Sequence, residues 1–600
     1  MNRRTLHTFH IPVLGLAFSI DTPLKVARFG ISSVISVVDD VLIEQMRKYH
    51  SQLNGESYVP ISVREDDYRA RRITAYLNMV GRLVERQTTA LRLQPFEDGS
   101  EIVRFFEMLP DHSPAKSLYS KMLNTSDGNV RSSIESELRS LIVAGDIDVN
   151  IMTKVDRLRT GRQGGAIPSD SSDAVAAMRG FVRSDLNSSV VLSAGLNPRL
   201  FAYMEQCPEF LPGTDGVPQK KVILKVSDYR SARIQGKILA KKGIWCSEFR
   251  VESGLNCGGH AFATDGYLLG PILEEFNSNR ASLAAELLDD YSAALRRRGA
   301  WLRETPMDFL LTVQGGIGTS AEDTFLREYY KVDGTGWGSP FLLVPEVTNV
   351  DAETRNLLAE SPREAYYLSN ASPLGVLFNN IRNTTSEKEL RRRADEGKPG
   401  SPCTKKYLAT NTEFTEEPIC TASNRYQALK ISELKKLKPP SQELDEEIDK
   451  IIEKACLCEG LSSTAPLGGN KAAKNRKRAV AICPGPNLAY FSRIASLEEM
   501  VGHIYGRMQL LTNAHRPNMF IQELRLYVDY LKNEIRKRID SPKQNDLKYL
   551  QNFKATLQEG IEYYKSIIPS VIEEVGHYRE TMLEELLKCQ EELAGVLVTI

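Results

Sequence analysis

The 600-residue chain lacks any apolar run of the roughly 18 residues that a membrane-spanning helix needs. It also lacks an excess of charge of one sign, because 77 lysines and arginines balance 77 aspartates and glutamates. This balance argues against a general nucleic-acid or membrane-surface binder, so we expect neither as a partner. The N-terminal segment MNRRTLHTFHIPVLGLAF lacks the apolar stretch and cleavage site of a signal peptide, which predicts a cytoplasmic protein.

Cysteines are few, and their number argues against a disulfide framework. There are nine, an odd number, in a long chain without a signal-peptide pattern. Their distribution is uneven, since five of them fall within about eighty residues in the second half of the chain: Cys403, Cys420, Cys456, Cys458 and Cys483.

The first 350 residues alternate short apolar runs with helical patterns, which is typical of α/β folds with a buried parallel sheet. Eight such strands alternating with helices predict a (β/α)8 TIM barrel, with a doubly wound open sheet as the alternative. Helix candidates between them include Thr22–Phe29, Asp173–Arg183 and Ser231–Lys241. The predicted strands are Pro12–Ala17, Ser32–Val38, Ile147–Met152, Val190–Ala194, Lys221–Val226, Ile244–Val251, Phe309–Val313 and Val332–Trp337.

A chain of this length predicts two or three domains. Residues 1–350 form the predicted barrel, and the long helical patterns at about 45–145 predict a helical insertion after its second strand. Residues 351–490 form a cysteine-containing segment, and residues 491–600 have the periodicity of amphipathic helices. We expect a mainly α-helical C-terminal extension, which provides either a core or a dimerisation bundle and favours a homo-oligomer.

Two glycine clusters follow the last two predicted strands. The first is QGGIGT, with Gly315, Gly316 and Gly318, and the second is GTGWGSP, with Gly336, Gly338 and Ser339. Glycines let backbone N–H groups approach a phosphate, and in TIM barrels the loops after strands seven and eight often form one phosphate site. Either cluster alone is consistent with a tight turn, but the two together predict phosphate binding.

A histidine follows the sixth predicted strand, in the sequence VESGLNCGGH. His260 comes directly after Gly258 and Gly259, at the catalytic end of a barrel strand. A histidine there can act as a general base or donate to a substrate oxygen, although a structural histidine is the simpler alternative. One histidine and one phosphate site provide little chemistry, so the sequence predicts a bound cofactor.

Several stretches resemble the nitronate monooxygenase group of FMN-dependent barrel enzymes, which includes flavin-dependent enoyl-acyl-carrier-protein reductases. They are IPVLGLAFSIDTPLKVARFG, VNIMTK, VVLSAGLNP, KVILKVSDYRSARIQGKILAKKG, SGLNCGGHAFATDGYLLGPIL and QGGIGT with GTGWGSPFLLVPE. The second phosphate loop departs from the group's usual Gly-Thr-Arg-Phe. The resemblance implies FMN held near Gly15, Asn150, Gly195 and Lys225, the phosphate at Gly315, Gly316, Gly338 and Ser339, and His260 as the substrate-facing histidine.

The resemblance implies an FMN-dependent oxidoreductase that moves electrons or hydride between reduced flavin and a small organic substrate, with NAD(P)H as a candidate electron donor. One alternative is a flavin-dependent enoyl-thioester reductase subunit or scaffold in a lipid or polyketide synthesis complex. The other is an RNA-modifying flavoenzyme, in which the basic cluster KAAKNRKR at 471–478 holds RNA.

Several of the clustered cysteines lie near prolines or glycines, which favours loops that can converge. We expect Cys403, Cys420, Cys458 and Cys483, with Cys456 as an alternate, to bind a [4Fe–4S] cluster; structural zinc and no metal are the alternatives. The spacing matches no standard C-x2-C motif.

Overall fold

Eight parallel strands form a closed barrel, as the sequence predicts. The computed structural model describes residues 6–153, 155–158, 172–193, 195–214, 216–300, 307–466, 479–512, 514–538, 544–572 and 577–596. The barrel strands are, in order, β1 (Phe9–Ile11), β2 (Ser32–Ser36), β3 (Ile147–Ile151), β4 (Ser188–Leu192), β5 (Lys220–Val226), β6 (Cys246–Glu252), β8 (Leu310–Gln314) and β9 (Gly334–Gly336). A separate sheet contains β7 (His260–Ala261), β10 (Tyr366–Ser369) and β11 (Leu377–Ile381).

The strand predictions from Ser32 onward are confirmed to within two residues at each end. The prediction of a first strand at Pro12–Ala17 is wrong, because β1 ends at Ile11 before a proline that has no N–H to donate. Residues 12–17 instead form a loop at the end of the barrel. The N–H groups of Leu16 and Ala17 donate to the carbonyl of Leu461, at 3.3 and 2.9 Å.

Helices surround the barrel and extend well beyond it. In chain order they are α1 (Thr22–Val26), α2 (Asp40–Leu53), α3 (Tyr68–Arg92), α4 (Glu101–Met108), α5 (Pro114–Leu123), α6 (Gly128–Leu141), α7 (Asp173–Val182), α8 (Pro198–Glu205), α9 (Tyr229–Lys241), α10 (Leu269–Arg298), α11 (Ser320–Tyr329), α12 (Ala352–Glu360), α13 (Thr385–Asp395), α14 (Asn424–Leu437), α15 (Gln442–Ile452), α16 (Leu457–Gly460), α17 (Leu497–Ile504), α18 (Met519–Arg538), α19 (Gln544–Ile567) and α20 (Tyr578–Ala594).

Helices α3 to α6 form the predicted insertion between β2 and β3, and buried ion pairs join it to the barrel. Asp40, at the start of α2, accepts from Arg69 Nη1 at 2.7 Å and from Arg72 Nη1 at 2.9 Å. All three side chains are less than a tenth exposed. Because two cations share one buried carboxylate, α3 is held firmly against the helix that follows β2.

The small sheet lies against the C-terminal end of the barrel. Strand β11 pairs antiparallel with β7, with Phe378 opposite His260 and Leu377 opposite Ala261. Residues 377–381 therefore form a strand of a sheet that covers this end of the barrel.

The apolar core continues from the barrel into the C-terminal helices. Buried side chains of one cluster include Val251 of the barrel and Leu497, Leu524 and Leu557 of the last hundred residues. No helix in the described ranges is long and apolar enough to cross a lipid bilayer.

Removing the Asp40 carboxylate is expected to destabilise the fold, since Arg69 and Arg72 would stay buried without it. We expect Asp40→Ala to lower the free energy of unfolding by about 3–5 kcal/mol, measured as a lower midpoint of thermal unfolding. The exposed Asp66 provides a matched control, and Asp66→Ala is expected to change stability by less than about 0.5 kcal/mol. Equal midpoints for the two variants would contradict this role.

Candidate active site

A cavity of about 1130 Å³ lies at the C-terminal ends of the barrel strands. In a TIM barrel this end carries the active site, because the loops after all eight strands converge there. Of the residues predicted to bind the cofactor or act in catalysis, all but Gly318 line this cavity: Gly15, Asn150, Gly195, Lys225, Gly258, Gly259, His260, Gly315, Gly316, Gly336, Gly338 and Ser339.

The first glycine cluster forms a tight turn after β8, which we call the glycine loop (residues 315–318). Gly315 and Gly316 have φ angles of +110° and +82°, which L-residues with side chains rarely adopt. A Cβ at Gly316 would also lie 2.1 Å from Asn256 Nδ2. In the described chain the N–H group of Gly316 has no protein acceptor, so it remains available to an anion.

The second cluster follows β9 and contributes Gly338 and Ser339. The N–H of Gly338 likewise has no acceptor within the described residues. Ser339 Oγ accepts from the N–H of Gly485 at 2.7 Å, which leaves its own hydroxyl hydrogen to donate. Both clusters border one cavity, and their donors fit a phosphate group. They do not include Gly318, whose N–H donates to Glu322 Oε2 at 2.8 Å.

Lys225 lies at the end of β5 and forms an ion pair with Glu252 at the end of β6. The Nζ–Oε2 distance is 2.8 Å, and Gln314 Nε2 donates to the other carboxylate oxygen at 2.6 Å. Burial lowers the pKa of Lys225, but the paired carboxylate of Glu252 outweighs it and the net pKa is raised. Lys225 is therefore a fixed cation at the cavity wall rather than a proton donor near neutral pH.

His260 is positioned by the covering sheet. Its Nε2 lies 2.8 Å from Ser372 Oγ, and its ring packs edge to face against Phe378 with centroids 5.1 Å apart. Strand pairing between β7 and β11 thus determines where the imidazole lies. The ring is partly exposed on the cavity wall, which suits a group that exchanges a proton with a ligand.

The cysteines do not form the predicted metal site. Cys403 and Cys420 share a side-chain hydrogen bond, which lowers the pKa of Cys403 to about 7 and raises the pKa of Cys420. Cys483 instead lies against the backbone of Gly259, where burial raises its pKa to about 12. The described residues, which include Cys456 and Cys458, contain no group of three or more Cys, His, Asp or Glu side chains placed to hold a metal ion. The iron–sulfur and zinc predictions therefore find no support in the described residues. The basic cluster 471–478 lies outside the described residues.

The structure also shows residues of the C-terminal region that support the cavity-lining loops from behind, which sequence reasoning missed. Arg516 donates to both carboxylate oxygens of Glu322 at 2.8 Å and to the carbonyl of Gly316 at 2.7 Å. Glu523, on α18, accepts from Ser253 Oγ at 2.5 Å. No local motif marks these residues, because their roles arise only when a segment 194 to 270 residues further along the chain packs against the barrel.

No protein-family model matches this chain, and no curated protein matches its sequence. Similar solved structures include FabK from Thermotoga maritima, which is 13% identical with a TM-score of 0.30 and aligns over 67% of this chain and 82% of that one. The enoyl reductase domain of MlnA, from the macrolactin biosynthesis cluster of Bacillus amyloliquefaciens, is 12% identical with a TM-score of 0.32, over 66% and 86%. Nitroalkane oxidase from Streptomyces ansochromogenes is 10% identical with a TM-score of 0.29, over 64% and 85%. Sequence identities and TM-scores this low do not assign an activity to the chain.

The buried Glu523 carboxyl predicts a pH dependence of stability. Burial raises its pKa from 4.5 to about 7, against hydrogen bonds from Ser253, Leu269 and Tyr564 that lower it. Since the folded state holds this proton more tightly than the unfolded state, this group's contribution to stability is greatest below pH 4.5 and is lost as the pH rises to about 7. Glu523→Gln is expected to remove this loss. The difference between the thermal unfolding midpoints of the variant and the wild type should therefore be more positive at pH 8 than at pH 5.

Glu591, exposed in the same region, provides the control. The unfolding midpoint of Glu591→Gln is expected to differ from that of the wild type by the same amount at both pH values. If the same held for Glu523→Gln, the buried carboxyl would not titrate in this range.

Proposed function

We propose that this protein is an FMN-dependent oxidoreductase of the nitronate monooxygenase-like class, which moves electrons or hydride between reduced FMN and a small organic substrate. One observation carries the proposal. A single cavity has phosphate-type N–H donors from the loops after β8 and β9 on one wall, and Lys225 and His260 on others.

The residues present fit the phosphate and ring of FMN. Gly316, Gly338 and the Ser339 hydroxyl donate to the phosphate, and Lys225 gives a positive charge that favours the reduced, anionic ring. Glu252 holds Lys225 in place and limits the net charge of the wall. Bound FMN would supply two-electron chemistry that none of the lining side chains provides.

His260 is the proposed catalytic residue. Ser372 and Phe378 fix its ring at the cavity wall, where it exchanges a proton with the substrate. We expect the covering sheet to limit access of water to this part of the cavity, which would protect a reduced cofactor from side reactions.

A second candidate is an enoyl-thioester reductase, alone or as a subunit in lipid or polyketide synthesis. The cavity exceeds the volume of about 300–1,000 Å³ that is usual for one small ligand, so it has room for a cofactor and a substrate together. Its lining also has an apolar part that suits an acyl chain, formed by Leu374, Leu377, Phe378, Leu408 and Leu457.

Three further expectations remain proposals. NAD(P)H is the proposed electron donor, to be tested by anaerobic reduction of the bound flavin.

The C-terminal helices are proposed to support a homo-oligomer, to be tested by light scattering in solution. An RNA-modifying role would require salt-dependent RNA binding, and we expect none because the net charge is zero.

Purified protein is expected to be yellow, with a flavin absorption band at about 450 nm that disappears on reduction. The chromophore released by denaturation is expected to be FMN, identified by mass spectrometry. A colourless protein that FMN does not reconstitute would exclude this function.

Replacement of His260 by alanine is expected to leave FMN bound and to slow the flavin half-reaction by about 100-fold or more. With a nitronate this half-reaction is reduction of oxidised FMN, and with a 2-enoyl thioester it is reoxidation of reduced FMN. Stopped-flow absorbance under anaerobic conditions measures the rate. His112, which is exposed on the insertion, provides the matched control. If His112→Ala and His260→Ala reacted alike, His260 would have no catalytic role.

A further inference from the structure

The glycine loop is held from behind by the C-terminal region. The carbonyl of Gly316 accepts from Arg516 Nη2 at 2.7 Å, and the carbonyl of Ile317 accepts from Asn487 Nδ2 at 2.9 Å. The carbonyl of Gly318 lies 2.9 Å from His503 Nε2. Three consecutive carbonyls of a loop that follows β8 are therefore each bound by a different side chain from residues 487–516.

His503 binds its carbonyl as a donor. Burial lowers the pKa of His503, so the ring is neutral at physiological pH. Its Nδ1 accepts from the N–H of Leu510 at 3.3 Å, which places the ring hydrogen on Nε2, facing Gly318.

Arg516 is not free to bind an anion itself. Its Nε donates to Asn487 Oδ1 at 2.7 Å, and its two terminal nitrogens donate to the Glu322 carboxylate. Its side chain is only 7% exposed. With its donors committed to protein groups, Arg516 acts by holding the loop and Glu322 in place.

The held carbonyls determine where the N–H groups of the loop point. In a planar trans peptide the C=O and the following N–H point in opposite directions. Because the carbonyl of Gly316 points at Arg516, the N–H of Ile317 points away from it. Gly316 and Ile317 line the cavity, whereas Arg516 does not. The N–H of Ile317 also has no protein acceptor in the described chain, so this donor is left for a ligand.

We propose that Arg516, Asn487 and His503 are positioning residues that keep the glycine loop in its phosphate-binding form, so that the C-terminal region is part of the cofactor site. The proposal rests on the proposed function, since it concerns the FMN phosphate. A small (β/α)8 barrel completes its phosphate site with its own loops, but this chain needs a segment about 200 residues further on.

The test compares FMN with riboflavin, which has the same ring but no phosphate. Affinities are measured by fluorescence quenching with flavin-free full-length protein, for the wild type, Arg516→Ala, Arg516→Lys and Asn487→Ala. We expect Arg516→Ala to weaken FMN binding about tenfold or more and to change riboflavin binding by less than about twofold. Arg516→Lys is expected to fall between these values, because lysine keeps the charge but loses the bidentate pair.

Two variants keep the test decisive. Asn487→Ala leaves no buried charge without a partner, so it reports on the loop even if Arg516→Ala does not fold. We expect Asn487→Ala to weaken FMN binding about threefold or more and to leave riboflavin binding unchanged. Arg493, which is exposed in the same region, provides the control, and Arg493→Ala is expected to bind both flavins as the wild type does.

The outcomes separate this proposal from the proposed function. If the wild type bound neither flavin, the proposed function would fail and this inference with it. If the wild type bound FMN but the Arg516 and Asn487 variants lost FMN and riboflavin equally, or lost neither, only the positioning role would be overturned.

Discussion

The ion pair between Arg516 and Glu322 is the contact on which the organisation of the candidate site depends. It is bidentate, with both N–O distances at 2.8 Å, and the two side chains are 7% and 3% exposed. The same carboxylate accepts from the N–H groups of Gly318 and Met519. One buried charge pair therefore joins the glycine loop, the start of α11 and the start of α18. Removing one partner of such a pair typically costs about 3–5 kcal/mol.

The remaining parts of the site follow from strand pairing. Parallel pairing places the ends of β5 and β6 side by side, so that Lys225 and Glu252 form an ion pair on the cavity wall. The small sheet then places His260 by pairing β7 with β11. Arg516 binds the carbonyl of Gly316 and so fixes the peptide plane that contains the N–H of Ile317, a donor proposed for an anion. The groups proposed for charge, proton exchange and anion binding thus come from three different parts of the chain and meet at one cavity.

The barrel could be predicted from sequence because its strands are continuous apolar runs, such as Val190–Leu192, and because glycine clusters mark the ends of β8 and β9. These signals are local in the sequence, so they can be recognised without knowledge of the tertiary fold. The segment Pro12–Ala17 has the apolar pattern of a strand, but in the structure it borders the cavity and a neighbouring loop rather than a sheet.

The long-range part of the site could not be predicted. Cys403 and Cys483 have the thiol chemistry of metal ligands, but the direction in which each side chain points depends on packing that no periodicity encodes. Arg516 and His503 lie in segments whose sequence indicates only loops and helices. Their function arises from contact with carbonyls that precede them by nearly 200 residues, and only the folded chain shows that contact.

A crystal structure of the full-length protein with FMN tests the central claim most directly. The account predicts that the phosphate lies within hydrogen-bonding distance of the backbone N–H groups of Gly316, Ile317 and Gly338, with the ring near Lys225 and His260 and the Arg516–Glu322 pair intact. An FMN phosphate bound elsewhere in the cavity, or a glycine loop released from Arg516 when FMN binds, would contradict it.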